Sequence, residues 1–348
     1  MNFLPNATLA EYARAAVDLR LRMGEYHASR LSHHWLAAFL EHRTRDYQPG
    51  QAADPQAPDR VFDAARQMTS LPWQVGEPYV LAPAMTAIVA AAADALDLTD
   101  EVLPEDIAPD NGGVLFLPEP IYQRGANGAV TSLGAITWAH TVNTVTGGRS
   151  WFIAGWADHH DPLDPAATRR RQSLKERPDV ARQMPPYVLV TLAELPIGRP
   201  IEPYPRLLVM DDEEHDWEPA PDGRYCLSDT GKTIGACAAV AYAFWRIQAQ
   251  PLASVAAAPI DRPARRRAMR AGIKHDTRVV MLRRSSPLTE PGDGNPKWHY
   301  RVRFMVKGHW RRLIDPNGRP YRIWIHAHIK GPDGAPLLHG EKVAVLAR

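Results

Sequence analysis

Two cysteines in 348 residues, Cys226 and Cys237, are too few for a disulfide-built scaffold. Standing eleven positions apart, they do not have the spacing of a metal-binding pair either. Such scarcity points to a reducing compartment. Long apolar runs are also missing. The most apolar stretch, residues 79–96, is Ala-rich and interrupted by Pro83 and Asp94, so it does not read as a bilayer span. The opening sequence has neither the cationic start nor the apolar core of a secretory signal. These absences predict a soluble, cytoplasmic protein with no membrane partner.

Acid is scarce at one end only. Residues 261–348 hold 20 of the 41 Lys and Arg but 7 of the 39 Asp and Glu, a formal charge of 20 − 7 = +13. Residues 1–260 then carry 21 − 32 = −11, so the net +2 conceals an acidic body and a basic end. A folded block of one sign implies a partner of the other sign. Nucleic acid is the first such partner, and an acidic protein surface is the second. The rest of the composition is that of a globular chain, 45% apolar and 23% charged, with 32 prolines stiffening its connections.

Hydrophobic periodicity predicts helix over residues 7–46, with Leu9, Tyr12, Ala16, Leu19 and Met23 on one stripe. Further helices are expected over 59–69 and 83–98. After Pro104, short β-branched and aromatic runs at 114–117, 130–137, 151–156 and 187–192 read as strands, with hairpin turns at Asn127-Gly128 and Gly147-Gly148. A long helix is expected over 230–250, capped by Ser228 or Asp229. The arginine cluster Arg265-Arg266-Arg267 with Arg270 and four strands follow. The fold class is therefore α+β: a helical region over 1–105, a mainly antiparallel sheet with a long helix over 106–258, and a basic β-rich region over 259–348.

Residues 300–307 and 321–330 alternate strictly and flank a turn at Asp315-Pro316-Asn317-Gly318. Paired through that turn they form a ribbon with one dry face, including Tyr321, Ile323 and Ile325. The other face carries Arg301, Arg303, Lys307, Arg322, Trp324 and Lys330. With Arg311 and Arg312, these cations would neutralise phosphates, and Trp310 or Trp324 would stack on an unpaired base.

Metal chemistry is the competing expectation. His326 and His328, two apart on a strand, present two imidazoles to one divalent ion. The triplet resembles the metal-binding strand of HUH-type replication and relaxase nucleases. That resemblance implies a nucleophilic tyrosine, and Tyr12 or Tyr26 would have to supply it in a relaxase-type order. Asp158 and His160, at the end of a strand, form a second candidate pair. A divalent metal is thus an expected cofactor of this alternative, and the alternative function is a metal-dependent nuclease or other enzyme. A third alternative is a regulator docking an acidic protein.

Other polar groups point less far. Gly231-Lys232-Thr233 has the ending of a phosphate-binding loop, but Cys226 replaces its first glycine. His27 and His34 share a helix face at that spacing. The acidic loop over 211–222 is long enough to shield the basic ribbon. Finally, the segments GHWRR at 308–312, RIWIHAHIKGP at 322–332 and EKVAVL at 341–346 resemble the ends of proteins from high-GC actinobacteria and their mobile elements. The segment WRIQAQPLASV at 245–255 is similar too. This resemblance implies no catalytic residue and favours a role in mobile-element replication, partitioning or defence.

Overall fold

The computed structural model describes residues 3, 7–45, 57–124, 129–142, 148–202, 226–228, 234–283 and 304–330. Helix α1, Leu9–His27, begins with a reciprocal cap in which the Thr8 hydroxyl accepts the Glu11 N–H and the Glu11 carboxylate accepts the Thr8 N–H. The one helix expected over 7–46 breaks after His27. Ser29 donates its hydroxyl to the Tyr26 carbonyl and accepts the Ser32 N–H, so it closes α1 and starts α2, Arg30–Arg45. Helix α3, Ala57–Val75, runs past its expected end and through Pro72.

Strand β1, Glu77–Leu81, was not expected, being only five residues and joined directly to α4, Pro83–Asp94. A short 3-10 turn, Glu105–Ile107, precedes β2, Gly112–Arg124; β3, Val130–Val142; and β4, Arg149–Asp158. The polar excursion that follows holds α5, Pro165–Ser173, and α6, Pro178–Ala181, before β5, Tyr187–Pro196. Next come β6, Cys226–Ser228; α7, Ala236–Gln248; β7, Ala253–Ala257; α8, Arg262–Arg270; and β8, Arg278–Leu282. The last elements are β9, Phe304–Val306; β10, His309–Ile314; β11, Pro320–Ile325; and β12, His328–Lys330.

Eight strands make one mixed sheet in the order β5-β4-β3-β2-β1-β8-β7, with β6 beside the far half of β2. Strands β2 to β5 pair antiparallel. Strand β1 is parallel to both β2 and β8. The α+β class therefore holds as helices with a large, mainly antiparallel mixed sheet. Both sheet faces are covered. Val80, Val114 and Phe116 point to the layer containing α1 and Trp73 of α3, whereas Tyr79, Leu81, Leu115 and Leu117 point to α4 and α7. Among the described residues, no helix is long and apolar enough to cross a membrane.

Helix α7 starts at Ala236 with Gly235 as its cap, later than the sequence suggests, and Ser228, one of the two expected caps, pairs in the sheet with Arg124 instead. The Gly231-Lys232-Thr233 segment, both NG and GG hairpin tips except Gly148, and the acidic loop lie outside the described residues.

The layer of α1 is tied to the end of α3 and the approaches to β1 and β8 by Arg20, which is fully buried and hydrogen-bonds backbone carbonyls, with the Glu77 carboxylate near enough to favour its charge. Its guanidinium donates to the carbonyl oxygens of Pro72, Trp73, Gln74, Gly76 and Lys274. The last turn of α3 leaves carbonyls without i+4 partners, and Arg20 takes those of Trp73 and Gln74. Burial pulls its pKa down to about 9. Gly76 is required beside it, since an added Cβ would lie 2.6 Å from the Pro72 oxygen.

Candidate nucleic-acid interface

The C-terminal strands form one antiparallel hairpin. Strand β10 pairs with β11 from His309 opposite Ile325 to Ile314 opposite Pro320, and β9 pairs with β12 from Phe304 opposite Lys330 to Val306 opposite His328. Counted outward from the turn, both pieces keep the same register, broken only where Lys307-Gly308 faces His326-Ala327. The expected turn is built by Asp315, whose carboxylate accepts the N–H groups of Asn317 and Arg319, and by Gly318 at φ +79°.

Which face of this hairpin turns inward is the reverse of the sequence expectation. Trp324 is only 4% exposed and belongs to the main core, while Tyr321 on the other face is 37% exposed. Across the strands, Trp310 pairs with Trp324, their rings 5.4 Å apart at 61°. Trp310 also meets Tyr242 of α7 edge-on, and its Nε1–H donates to the Ala92 carbonyl, one of the free carbonyls ending α4. Gly308 makes room for the indole, because a Cβ there would lie 2.5 Å from Trp324. A period of two says which residues share a face; burial decides which face is dry. Two indoles bury more area than the tyrosine and isoleucines opposite them. Trp324 is therefore not available as a stacking platform, while Trp310 stays half-buried.

Two of the expected phosphate-binding arginines are engaged at home. Arg312 and Arg322 stand opposite each other in register, and both donate to Oε1 of Glu101. Arg322 also donates to the Asp97 carbonyl, and Arg246 of α7 donates to the Arg322 carbonyl. The Glu101 loop is shaped for this: Asp97 accepts from Thr99 and Asp100 adopts a left-handed φ of 61°. Of the remaining expected contacts, Arg311 and Lys307 are exposed, Lys330 ends β12 opposite Phe304, and Arg301 and Arg303 lie outside the described residues.

The metal candidates gather no complete ligand set. His326 and His328 are exposed, with the His328 ring nitrogen 3.1 Å from the His326 carbonyl oxygen. Tyr12 and Tyr26 are buried in α1, on the opposite face of the sheet from the hairpin. At the end of β4, Asp158 stands in register opposite Tyr187 and accepts the His160 N–H, a turn contact and not a ligand geometry. Burial pushes the Asp158 carboxyl up to about 6 and His159 down to about 4. Nearby, Asp161 accepts the Tyr122 hydroxyl, Asp164 accepts from Ser132 and caps α5, and Arg171 donates to the carbonyls of His159 and Asp161. Among the described residues, no three His, Cys, Asp or Glu are placed to hold a metal ion.

A second exposed basic surface lies on α8. Asp261 caps this helix through the Ala264 N–H and pairs with Arg14 of α1. Ala264 and Ala268 are fully buried, Ala268 against Val17 and Ile273, and Arg267 pairs with Asp18. Arg262, Arg265, Arg266 and Arg270 are exposed and carry no ion pair among the described residues. Residues 265–267 and 270 were visible as a cluster in the sequence. What would have singled them out is the Ala264/Ala268 spacing, which marks the opposite face as free.

No protein-family model matches the chain, and no curated protein matches it. A solved structure, the crystal structure of AcrVA2, is similar at a TM-score of 0.33 and 10% identity, over 92% of this chain and 96% of that one. A likeness that weak carries no argument about fold or function.

Proposed function

We propose that this protein binds nucleic acid, with phosphate contacts drawn from the cations of residues 261–348. The supporting observation is the set of exposed arginines left over once Glu101 has taken Arg312 and Arg322. Arg262, Arg265, Arg266, Arg270, Arg311 and Arg319 have no acidic partner among the described residues. Fixed cations of this kind gain free energy by releasing the counterions condensed on a polyanion. Stacking on Trp324 is not part of the mechanism, since that indole is buried in the core.

The setting proposed with this activity is the mobile-element biology that the C-terminal resemblance implies. The test is a gel shift with single- and double-stranded DNA and RNA at two salt concentrations, with and without Mn. Binding that weakens with salt and leaves the nucleic acid intact supports the proposal. Metal-dependent cutting would replace it with the nuclease alternative, and no shift at low salt would remove it.

A further inference from the structure

Helix α8 compresses five arginines into nine residues. Its buried side is small, two alanines seated on α1 and the loop after α8, so the helix is anchored without masking the rest of its circumference. Arg262, Arg266 and Arg270 are four apart. On a helix of 3.6 residues per turn they drift only about 40° per step and climb about 6 Å per step, forming one stripe opposite Ala264 and Ala268. Like charges at this spacing destabilise a helix. The acids along the α1 seam do not relieve them, because Asp18 is held by Arg267 and Asp261 by Arg14.

We infer that the outward face of α8 is a sequence-independent docking surface for the phosphate backbone of nucleic acid, gripped by Arg262, Arg266 and Arg270. The inference rests on the proposed nucleic-acid binding and adds the surface and the mode. Two features favour a nucleic-acid backbone over an acidic protein. Protein interfaces need an apolar centre depleted of charge, and the only large apolar side chain exposed on α8 is Met269. Protein–nucleic acid interfaces, by contrast, are polar and strongly positive. The stripe has no aromatic side chain to read or stack a base, so its contacts position the chain without specifying sequence.

The hairpin's own free cations, Arg311 and Arg319, provide the comparison. The hairpin packs with α4 and α7, and α8 packs with α1, on opposite faces of the sheet. One nucleic-acid segment lying along α8 therefore has no need of the hairpin.

The experiment is fluorescence anisotropy with short labelled DNA duplexes of two unrelated sequences at about 50 mM salt. Full-length protein is compared with the triple variant Arg262→Gln, Arg266→Gln, Arg270→Gln and with the double variant Arg311→Gln, Arg319→Gln. The triple variant is expected to bind both duplexes at least about tenfold more weakly, the double variant within about twofold of the parent. A triple Arg→Lys variant should keep most of the affinity, and Arg266→Gln alone should weaken it if the triple Gln variant does not fold. A triple Gln variant that folds and binds like the parent overturns the α8 assignment while leaving nucleic-acid binding standing. Failure of the parent itself to bind removes the underlying function. Polyglutamate competing as well as DNA at equal charge would overturn the commitment to a phosphate backbone.

Discussion

Arg312 and Arg322 face each other directly across the C-terminal hairpin and donate to the same oxygen of Glu101. Two like charges in register would repel, and the shared carboxylate turns that conflict into a clamp holding the hairpin to the body. Removing it should leave Arg322, whose side chain is 11% exposed, without a counter-charge. Glu101→Ala is expected to lower stability by roughly 2–3 kcal/mol. Thermal melting measures the loss, and a red shift in tryptophan emission would mark the wetting of Trp310 and Trp324.

Arg20 gives a larger effect. Arg20→Met fits the volume but removes the guanidinium from five carbonyl oxygens, of which the buried ones of Trp73 and Gly76 matter most. The expected loss is at least about 3 kcal/mol, read as a lower urea midpoint. A midpoint unchanged from the parent would show that water reaches these carbonyls.

Two glycines should respond in opposite directions to alanine. Gly308→Ala drives a Cβ into the Trp324 ring and should cost about 1–3 kcal/mol. Gly24→Ala meets nothing within 4 Å inside α1 and should stabilise by up to about 1 kcal/mol. Melting temperatures of the two variants on either side of the parent would verify the pair.

Acid should destabilise the fold below the ordinary histidine range. Burial holds His27 and His159 down to about 4 against 6.5 in the unfolded chain, so the unfolded state takes up their protons first. Their stabilising contribution is present above 6.5 and is lost as pH falls from there to 4. Asp158 acts the other way: raised from 3.8 to about 6, it favours the fold at low pH and loses that contribution as pH rises through this window. The two imidazoles outweigh the one carboxyl. Stability at pH 5 should fall about 2–3 kcal/mol below that at pH 7.5. In His27→Gln the same difference should shrink, as followed by urea unfolding at both pH values.

Much of the frame was legible from the sequence because it is local. The Asp315–Gly318 turn needs only an Asp side chain and a glycine, and the strands of the sheet carry β-branched runs. What escaped is tertiary. The break at Ser29 is set by one hydroxyl, and β1 is too short for a period to appear. The alternation of 321–325 fixed two faces without saying which one the body would cover, and Trp324 went in where Ile323 and Ile325 were expected. The charge count over 261–348 treated one surface where the fold makes two. Part of that charge sits on α8 beside α1, and part on a hairpin across the sheet, where Glu101 neutralises some of it.

The most direct measurement is the slope of the logarithm of affinity for a DNA duplex against the logarithm of salt concentration, in the parent and in the α8 triple Gln variant. Each phosphate contact contributes about −0.9 to that slope. The parent should give a clearly negative slope, and loss of Arg262, Arg266 and Arg270 should make it shallower by roughly 2–3. Identical slopes in the two proteins, or a parent affinity indifferent to salt, would contradict the assignment of the exposed arginines to a nucleic-acid backbone.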